Sequence, residues 1–244
     1  MTAIRIEPCP SPNHGERTTG PVDILLLHYT GMPDEEQSLA WLCHPKSQVS
    51  SHYFVHANGR VLQLVPEDRR AWHAGAASWG GESDINSRSI GIEVANPGHP
   101  GGLPDFPDVQ SEALIALCRD IVTRNSIPAR SVLGHSDVAP GRKIDPGERF
   151  PWGRLAAAGI GHFVSPAPLT DGPLLRRGDN GPKVESLQTL LALYGYDVAV
   201  TGGFDQRTLD VVAAFQRHFR PESVDGEADI STITTLQRLI AALP

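Results

Sequence analysis

Val22-Asp23-Ile24-Leu25-Leu26-Leu27-His28 is an apolar stretch that predicts a buried strand ending in a histidine. A second stretch, Gly134-His135-Ser136-Asp137 through Arg142-Lys143-Ile144-Asp145-Pro146-Gly147, places His135 and Asp145 on either side of a Pro- and Gly-rich loop that can turn back on itself. Two imidazoles and one carboxylate are the ligand set of a catalytic zinc site, which leaves the fourth position to water or substrate. His28, His135 and Asp145 are therefore the candidate zinc ligands, and the chain is predicted to be a zinc hydrolase.

Six short motifs extend this pattern between Val22 and Leu155. They are Leu27-His28-Tyr29-Thr30, Ser50-Ser51-His52-Tyr53-Phe54-Val55, Ala71-Trp72-His73-Ala74-Gly75, Ser89-Ile90-Gly91-Ile92-Glu93, Gly134-His135-Ser136-Asp137 and Lys143-Ile144-Asp145-Pro146-Gly147. In their order and content the chain resembles the zinc-dependent N-acetylmuramoyl-L-alanine amidases of the type 2 amidase family, which share a fold with the peptidoglycan recognition proteins. The resemblance implies that His28, His135 and Asp145 bind zinc, Glu93 is the catalytic acid/base, and Lys143 stabilises the oxyanion.

Both catalytic assignments are chemically sensible. Glu93 lies in the apolar run Ile90 to Val94, which predicts a buried strand, and burial raises the pKa of a carboxyl group. A carboxylate so placed can take a proton from water and return it to a leaving amine. The alternatives are a surface glutamate at a strand end and, for Lys143, an ordinary solvated loop cation.

The remaining histidines are weaker candidates for the metal. His52 and His56 precede Asn58-Gly59, which predicts a hairpin, and on a strand their side chains lie about 13 Å apart, too far to share one ion. We interpret them as framework or cleft-wall residues. The resemblance suggests His73 and Asn86 as possible substrate contacts. Five other histidines show no partner pattern and are expected to be exposed: His14, His44, His99, His162 and His218.

The elements around these residues predict an α/β domain with a mixed central sheet flanked by helices and a zinc cleft. Asp34 can cap a helix whose first turn is acidic. A long loop is expected from Pro66 to Arg88, and the Gly- and Pro-rich segment from Asn96 to Pro107 is expected to form a rim of the cleft. An amphipathic helix is predicted from apolar residues at i, i+3, i+4 and i+7: Leu114, Leu117, Cys118 and Ile121.

The last third of the chain predicts helices alone. Three apolar stripes lie after a Pro- and Gly-containing segment, and Gly181-Pro182 and Gly195 would begin and end the first helix. Residues 174–244 resemble the three-helix peptidoglycan-binding domain, on motifs that include Leu175-Arg176-Arg177-Gly178-Asp179-Asn180-Gly181 and Ala214-Phe215-Gln216. The alternative is a helical bundle that packs on the catalytic domain and binds nothing. The expected division is an N-terminal extension (1–21), a catalytic domain (22–158), a linker (159–173) and this all-α domain (174–244).

Composition sets further limits. The net charge is −7 and there is no basic run, so nucleic acid is not expected as a partner. Cys9, Cys43 and Cys118 are odd in number and widely spaced, which favours three reduced thiols. No apolar secretion signal or transmembrane run is visible, which favours a cytoplasmic location, with the periplasm or cell envelope as the alternative. The oligomeric state is open, and a monomer is expected.

The predicted reaction is hydrolysis of the amide between N-acetylmuramic acid, or its anhydro form, and L-alanine of the stem peptide, in wall turnover or muropeptide recycling. The expected partner is peptidoglycan or a muropeptide, and the expected cofactor is Zn²⁺. Two alternatives stay open: a non-catalytic peptidoglycan receptor on the same fold, and a zinc peptidase that cuts within the stem peptide. A receptor would not need the complete ligand set and Glu93.

Overall fold

The central feature of the fold is a mixed six-stranded sheet. A computed structural model describes residues 4–243. The strands are β1 (Ile6–Pro8), β2 (His14–Glu16), β3 (Ile24–Tyr29), β4 (Tyr53–Val55), β5 (Val61–Gln63), β6 (Arg69–Ala71), β7 (Ser89–Val94) and β8 (Val132–Gly134). The sheet has the order β1-β5-β4-β7-β3-β8, in which only the β4–β5 pair is antiparallel, and β2 pairs with β6 in a separate two-stranded sheet.

Helices cover both faces of the sheet. Residues 4–243 contain α1 (Glu35–Leu42), α2 (Ile85–Arg88), α3 (Asp108–Asn125), α4 (His135–Val138), α5 (Trp152–Ala157), α6 (Pro182–Tyr194), α7 (Gln206–Phe219) and α8 (Ile230–Ala241). The side chains of β3 alternate: Leu25 and Leu27 pack in one apolar cluster with α3, whereas Ile24 and Leu26 pack in another with the C-terminal helices. Because both faces are covered, β3 is apolar at almost every position. The predicted fold class is confirmed.

Several local predictions are confirmed as well. The Asp34 side chain accepts a hydrogen bond from the Gln37 amide and caps α1. The hairpin around Asn58-Gly59 forms between β4 and β5, although the strands are shorter than expected. The predicted loop from Pro66 to Arg88 is partly regular, because β6 and α2 lie within it.

The N-terminal segment, which is predicted as an extension, forms two short strands that pair with other strands of the fold. β1 adds a parallel strand to the edge of the main sheet, and β2 pairs with β6, so residues 6–16 contribute a strand to each of the two sheets. Three-residue strands are held mainly by backbone hydrogen bonds, and so short a segment cannot show a period-two apolar pattern. Residues 1–3 lie outside the described residues.

The C-terminal helices α6, α7 and α8 pack directly against the part of the chain that forms the main sheet. Their apolar residues belong to the same core cluster as Ile24, Leu26 and Leu133 of the sheet. The predicted linker also has fixed contacts, since the Ala167 amide donates to Thr235 Oγ1 (2.9 Å) and its carbonyl accepts from Ser231 Oγ (2.6 Å). The boundaries at residues 22, 159 and 174 stay predictions.

Candidate active site

The parallel strands of the sheet bring the predicted site residues to one edge. In the β3–β7 pair, His28 lies directly opposite Glu93. In the β3–β8 pair, Leu27 lies opposite Gly134, so His135 follows β8 at the level of His28. Because neighbouring strands are about 4.8 Å apart and these three positions are at carboxyl ends, their side chains converge in the crevice where open α/β sheets bind ligands.

His28, His135 and Asp145 form a compact buried cluster. The His28 Nδ1, His135 Nδ1 and Asp145 Oδ2 atoms are each 3.0 Å from the other two. The three residues are 1%, 3% and 7% exposed. Zinc lies about 2.0–2.2 Å from nitrogen and carboxylate ligands, so one ion can reach all three atoms. Within residues 4–243 this is the cluster of His, Cys, Asp or Glu side chains that could hold a metal ion.

The Nε2 atoms of both histidines have hydrogen-bond partners outside the cluster, which directs their Nδ1 atoms into it. His135 Nε2 lies 3.0 Å from the carbonyl oxygen of Ala74, to which it must donate. His28 Nε2 lies 3.1 Å from His73 Nδ1. A histidine that donates through one nitrogen presents a lone pair at the other. The cluster therefore presents two Nδ1 lone pairs and one carboxylate oxygen to a single point. Three acceptors so close together repel each other, and a cation between them removes that repulsion.

The role of His73 follows from its own partners. His73 Nε2 lies 3.3 Å from Ser89 Oγ, and this hydroxyl donates to the Ile85 carbonyl (2.6 Å). The Ser89 oxygen therefore accepts from His73 Nε2, which leaves His73 Nδ1 as the acceptor for His28. A side chain at Gly91 would clash with the His73 ring, since a Cβ there would lie 2.5 Å from it. The His73 ring lines the cleft, with Nδ1 facing His28 and Nε2 facing Ser89, and its contact with a substrate stays a prediction.

Burial and mutual electrostatics set the charges of the cluster. Burial, reinforced by His135, lowers the pKa of His28 to about 4, against the opposing effect of Asp145. Burial raises the pKa of Asp145, but His135 and His28 outweigh it and hold the pKa well below its usual range. The cluster therefore offers a neutral His28 and an ionised Asp145 at neutral pH, the protonation states that metal binding requires.

Glu93 lies beside this cluster with one carboxyl oxygen unused. Its Oε2 atom is buried and has no hydrogen-bond partner among residues 4–243. Burial raises the pKa of Glu93 well above its usual value, Asp145 adds to this effect, and Lys143 opposes it. A carboxyl group with a raised pKa and a free oxygen in a cleft is suited to take up and release a proton.

An open cleft of about 410 Å³ gives access to these groups. Its lining includes His28, Glu93 and Lys143, and no ion pair within residues 4–243 involves Lys143. Trp41 and Trp72 also line the cleft, and Trp41 is 51% exposed. Trp41 was not predicted from the sequence, where the available signal is a large aromatic residue on the short helix that follows the His28 strand.

Asn86 does not line this cleft. Its Oδ1 atom accepts hydrogen bonds from the amides of His73 (3.0 Å) and Ala74 (2.8 Å). Ala74 in turn supplies the carbonyl that binds His135. The structure therefore places Asn86 behind the site, where it fixes the loop that orients both histidines, and its contact with a substrate stays a prediction.

The other two histidines singled out in the sequence have framework contacts. His52 Nδ1 accepts from the Gly91 amide (2.9 Å), and burial together with Arg17 lowers the pKa of His52 to about 3. His56 Nδ1 lies 2.8 Å from a carboxyl oxygen of Glu35. Neither residue belongs to the metal cluster.

His218 differs from its prediction as an exposed residue. It is 4% exposed, and its Nδ1 lies 2.7 Å from Asp137 Oδ2. The three cysteines are free thiols, as predicted, but Cys9 and Cys43 lie close together, with their Sγ atoms 4.0 Å apart.

Two family profiles match the chain. The profile described as N-acetylmuramoyl-L-alanine amidase covers residues 18–148. The profile of a peptidoglycan binding domain covers residues 180–236. The first spans more than half of the chain and includes all of the site residues described above.

Individual relatives agree with these profiles. The chain is 42% identical to the N-acetylmuramoyl-L-alanine amidase AmiD of Escherichia coli (strain K12) over 234 residues, which covers 90% of this chain and 82% of the relative. It is 33% identical to the 1,6-anhydro-N-acetylmuramyl-L-alanine amidase AmpD of Enterobacter cloacae, over 61% of this chain and 87% of that protein.

Solved structures of amidases also superimpose on this chain. The complex of E. coli AmiD with anhydro-N-acetylmuramic acid-L-Ala-D-gamma-Glu-L-Lys superimposes with a TM-score of 0.76 at 39% identity, covering 92% of this chain and 90% of that chain. AMPDH3 from Pseudomonas aeruginosa superimposes with a TM-score of 0.77 at 32% identity, covering 93% and 96%. The chain belongs to the N-acetylmuramoyl-L-alanine amidase family.

Proposed function

We propose that this protein hydrolyses the amide bond between N-acetylmuramic acid, or its anhydro form, and L-alanine of the peptidoglycan stem peptide. The observation that carries the proposal is the triangle of His28 Nδ1, His135 Nδ1 and Asp145 Oδ2 with 3.0 Å sides, open to a cleft that also holds Glu93. The relatives support the substrate class, since two of the solved structures contain an anhydromuramic peptide.

His28, His135 and Asp145 would hold a zinc ion. When bound, zinc supplies Lewis-acid chemistry that activates water and polarises a carbonyl at neutral pH. The remaining chemistry belongs to the chain. Glu93 accepts a proton from the attacking water on its free Oε2 and delivers it to the nitrogen of the departing L-alanine. Lys143 lies in the same cleft, where its positive charge stabilises the oxyanion of the tetrahedral intermediate.

The cleft wall suits the sugar part of the substrate. Trp41 presents about half of its surface to solvent at the cleft, and Trp72 lies in the same lining. An indole face covers the apolar C–H face of a pyranose ring and leaves its hydroxyl groups in water. We assign Trp41 to binding of the muramic acid ring.

The test is product analysis on a defined substrate. The purified protein, loaded with zinc, is incubated with an anhydro-muramyl tetrapeptide and, separately, with its non-anhydro counterpart. The masses of the products are determined by mass spectrometry. We expect free sugar acid and an intact peptide with N-terminal alanine. A shortened stem peptide would indicate a peptidase, and intact substrate recovered bound to the protein would indicate a receptor.

Location and assembly are separate from the reaction. Among residues 4–243, no helix combines the length and the apolar character needed to span a bilayer. The cytoplasmic location and the monomeric state predicted from the sequence stay predictions. Fractionation of cells followed by detection of the protein, and sedimentation of the purified protein, would test them.

A further inference from the structure

The catalytic part and the C-terminal helices share a tightly packed aromatic contact. Trp79 of the catalytic part lies edge-on to Tyr194 and Tyr196, at ring distances of 6.0 and 5.0 Å. The chain comes so close that a Cβ at Gly195 would lie 2.7 Å from the Trp79 ring. The amide of Gly80 also donates to the Gly195 carbonyl (2.8 Å). The two parts therefore share one apolar core cluster and are not merely tethered.

A buried carboxylate lies at the centre of this contact. Asp137 is fully buried, and its two oxygens accept three hydrogen bonds. Oδ1 accepts from the Tyr196 hydroxyl (2.7 Å), and Oδ2 accepts from His218 Nδ1 (2.7 Å) and from the Gly134 amide (2.8 Å). Two of the three donors thus come from the C-terminal region. Without the Tyr196 hydroxyl, Oδ1 would be a buried oxygen with no donor, which is costly, whereas Oδ2 would keep one donor if either of its two were lost.

The third hydrogen bond connects this carboxylate to the metal cluster. Gly134 is the N-cap of α4, and Asp137, in the first turn of that helix, closes it by accepting the Gly134 amide. His135 is the first residue of α4. The next amide, that of Ser136, donates to the backbone carbonyl of Asp145 (2.9 Å). The position of this one-turn helix therefore sets the backbone of two of the three ligands.

His218 has little freedom to adjust. Its ring stacks on Trp152 of α5 with centroids 3.7 Å apart and on Phe219 with centroids 3.8 Å apart. Trp152 also limits the space for a side chain at position 134, since a Cβ at Gly134 would lie 3.3 Å from the indole ring. The ring that donates to Asp137 is thus held on both faces, as expected of a group that fixes the position of its partner.

We propose that Tyr196 and His218 are positioning residues for the metal centre, which they hold in shape through Asp137 and α4. The C-terminal region is then a structural part of the catalytic unit, whether or not it also binds glycan. The proposal rests on the proposed function only for the identity of the metal and the reaction. A purely stabilising role of the interface would lower the melting temperature without a specific effect on metal binding.

The chain offers a matched control for this distinction. Tyr194 is as buried as Tyr196 and belongs to the same aromatic cluster, but its hydroxyl lies 3.0 Å from His162 Nδ1. The Tyr194→Phe and Tyr196→Phe variants of the full chain each lose one buried hydroxyl group. Both proteins are compared with the unchanged chain for zinc affinity by competition with a chelator, for melting temperature with and without zinc, and for kcat and KM on a soluble muropeptide.

We expect Tyr196→Phe to weaken zinc binding about tenfold, at the lower end of the range for groups that support metal ligands indirectly. kcat should fall more than KM rises, because the ligands shift and the substrate cleft does not. Tyr194→Phe should have a lower melting temperature than the unchanged chain but the same zinc affinity. Equal zinc affinities for Tyr194→Phe and Tyr196→Phe would overturn the proposal.

His218 provides an independent pair of variants. His218→Asn keeps a donor near the position of Nδ1, whereas His218→Leu removes it, and both lose the stacked ring. We expect zinc affinity to be weaker in His218→Leu than in His218→Asn. If the two are equally weak, the effect comes from lost packing and His218 has no positioning role. Because zinc affinity is measured without substrate, this result stands even if the protein fails to cleave the muropeptide, which would count only against the proposed function.

Discussion

Replacing Glu93 with glutamine separates the chemistry of the site from its architecture. The Glu93→Gln side chain keeps the shape of the original but cannot accept a proton. Glu93 is not one of the three metal-cluster residues, so the variant should bind zinc as the unchanged protein does. General acid–base catalysis contributes about 10²–10⁴-fold, so kcat should fall by that factor, which corresponds to about 2.7–5.4 kcal/mol of transition-state stabilisation.

The same substitution should not destabilise the metal-free protein. Burial and Asp145 raise the pKa of Glu93 above its unfolded value, so its contribution to stability is complete below the ordinary glutamate pKa of about 4.5 and is lost as the pH rises. A neutral glutamine escapes this loss, and Glu93 Oε2 has no hydrogen bond within residues 4–243 that the change would break. Metal-free Glu93→Gln should therefore melt at the same or a higher temperature than the unchanged protein at pH 8, with a smaller difference at pH 5.

The assay combines metal analysis, calorimetry and steady-state kinetics. Glu112→Gln is the matched control, because Glu112 is an exposed residue of α3 and does not line the cleft. It should change neither kcat nor the pH dependence of melting. Full turnover by a zinc-loaded Glu93→Gln protein would refute the assignment of Glu93. A melting temperature that falls at pH 8 would refute the argument from burial.

Three further outcomes are expected. Trp41→Ala should raise KM for a soluble muropeptide about fivefold, from about 1 kcal/mol of lost stacking, with kcat nearly unchanged; an unaltered KM would remove Trp41 from the binding site. His73→Phe should weaken zinc binding about 10–100-fold by chelator competition, because His28 loses the acceptor that orients its ring; unchanged affinity would reduce the contact to packing. Removal of metal by a chelator should abolish hydrolysis and lower the melting temperature. Added zinc at 100 times its Kd should then restore about 2.7 kcal/mol of folding stability, which a thermal scan would measure.

Patterns in the sequence predicted the elements that have one strong local signal. The apolar run before His28 became β3, and the i, i+3, i+4, i+7 stripe became the buried face of α3. Gly181-Pro182 and Gly195 became the start and end of α6. In each case the residues that define the element are close in sequence and have the periodicity of the face that they bury.

Segments without such a signal were missed for a physical reason. β1 and β2 have three residues each, and their partners β5 and β6 lie far along the chain. Pairing of this kind depends on backbone groups that every residue possesses, so the side chains give no pattern from which it could be predicted. The same holds for β6 inside the predicted loop from Pro66 to Arg88.

The candidate site shows the same division at the level of single residues. Metal ligands can be recognised in a sequence because only a few side chains can serve, and family motifs narrow the choice further. The groups that hold those ligands are not so restricted, since any donor or acceptor at the right place will do. His73 reaches His28 across 45 positions of the chain, and His218 reaches Asp137 across 81. Such partners come together only when the chain folds, and for that reason the contacts by which His73 and Asn86 orient the cluster were not predicted from the sequence.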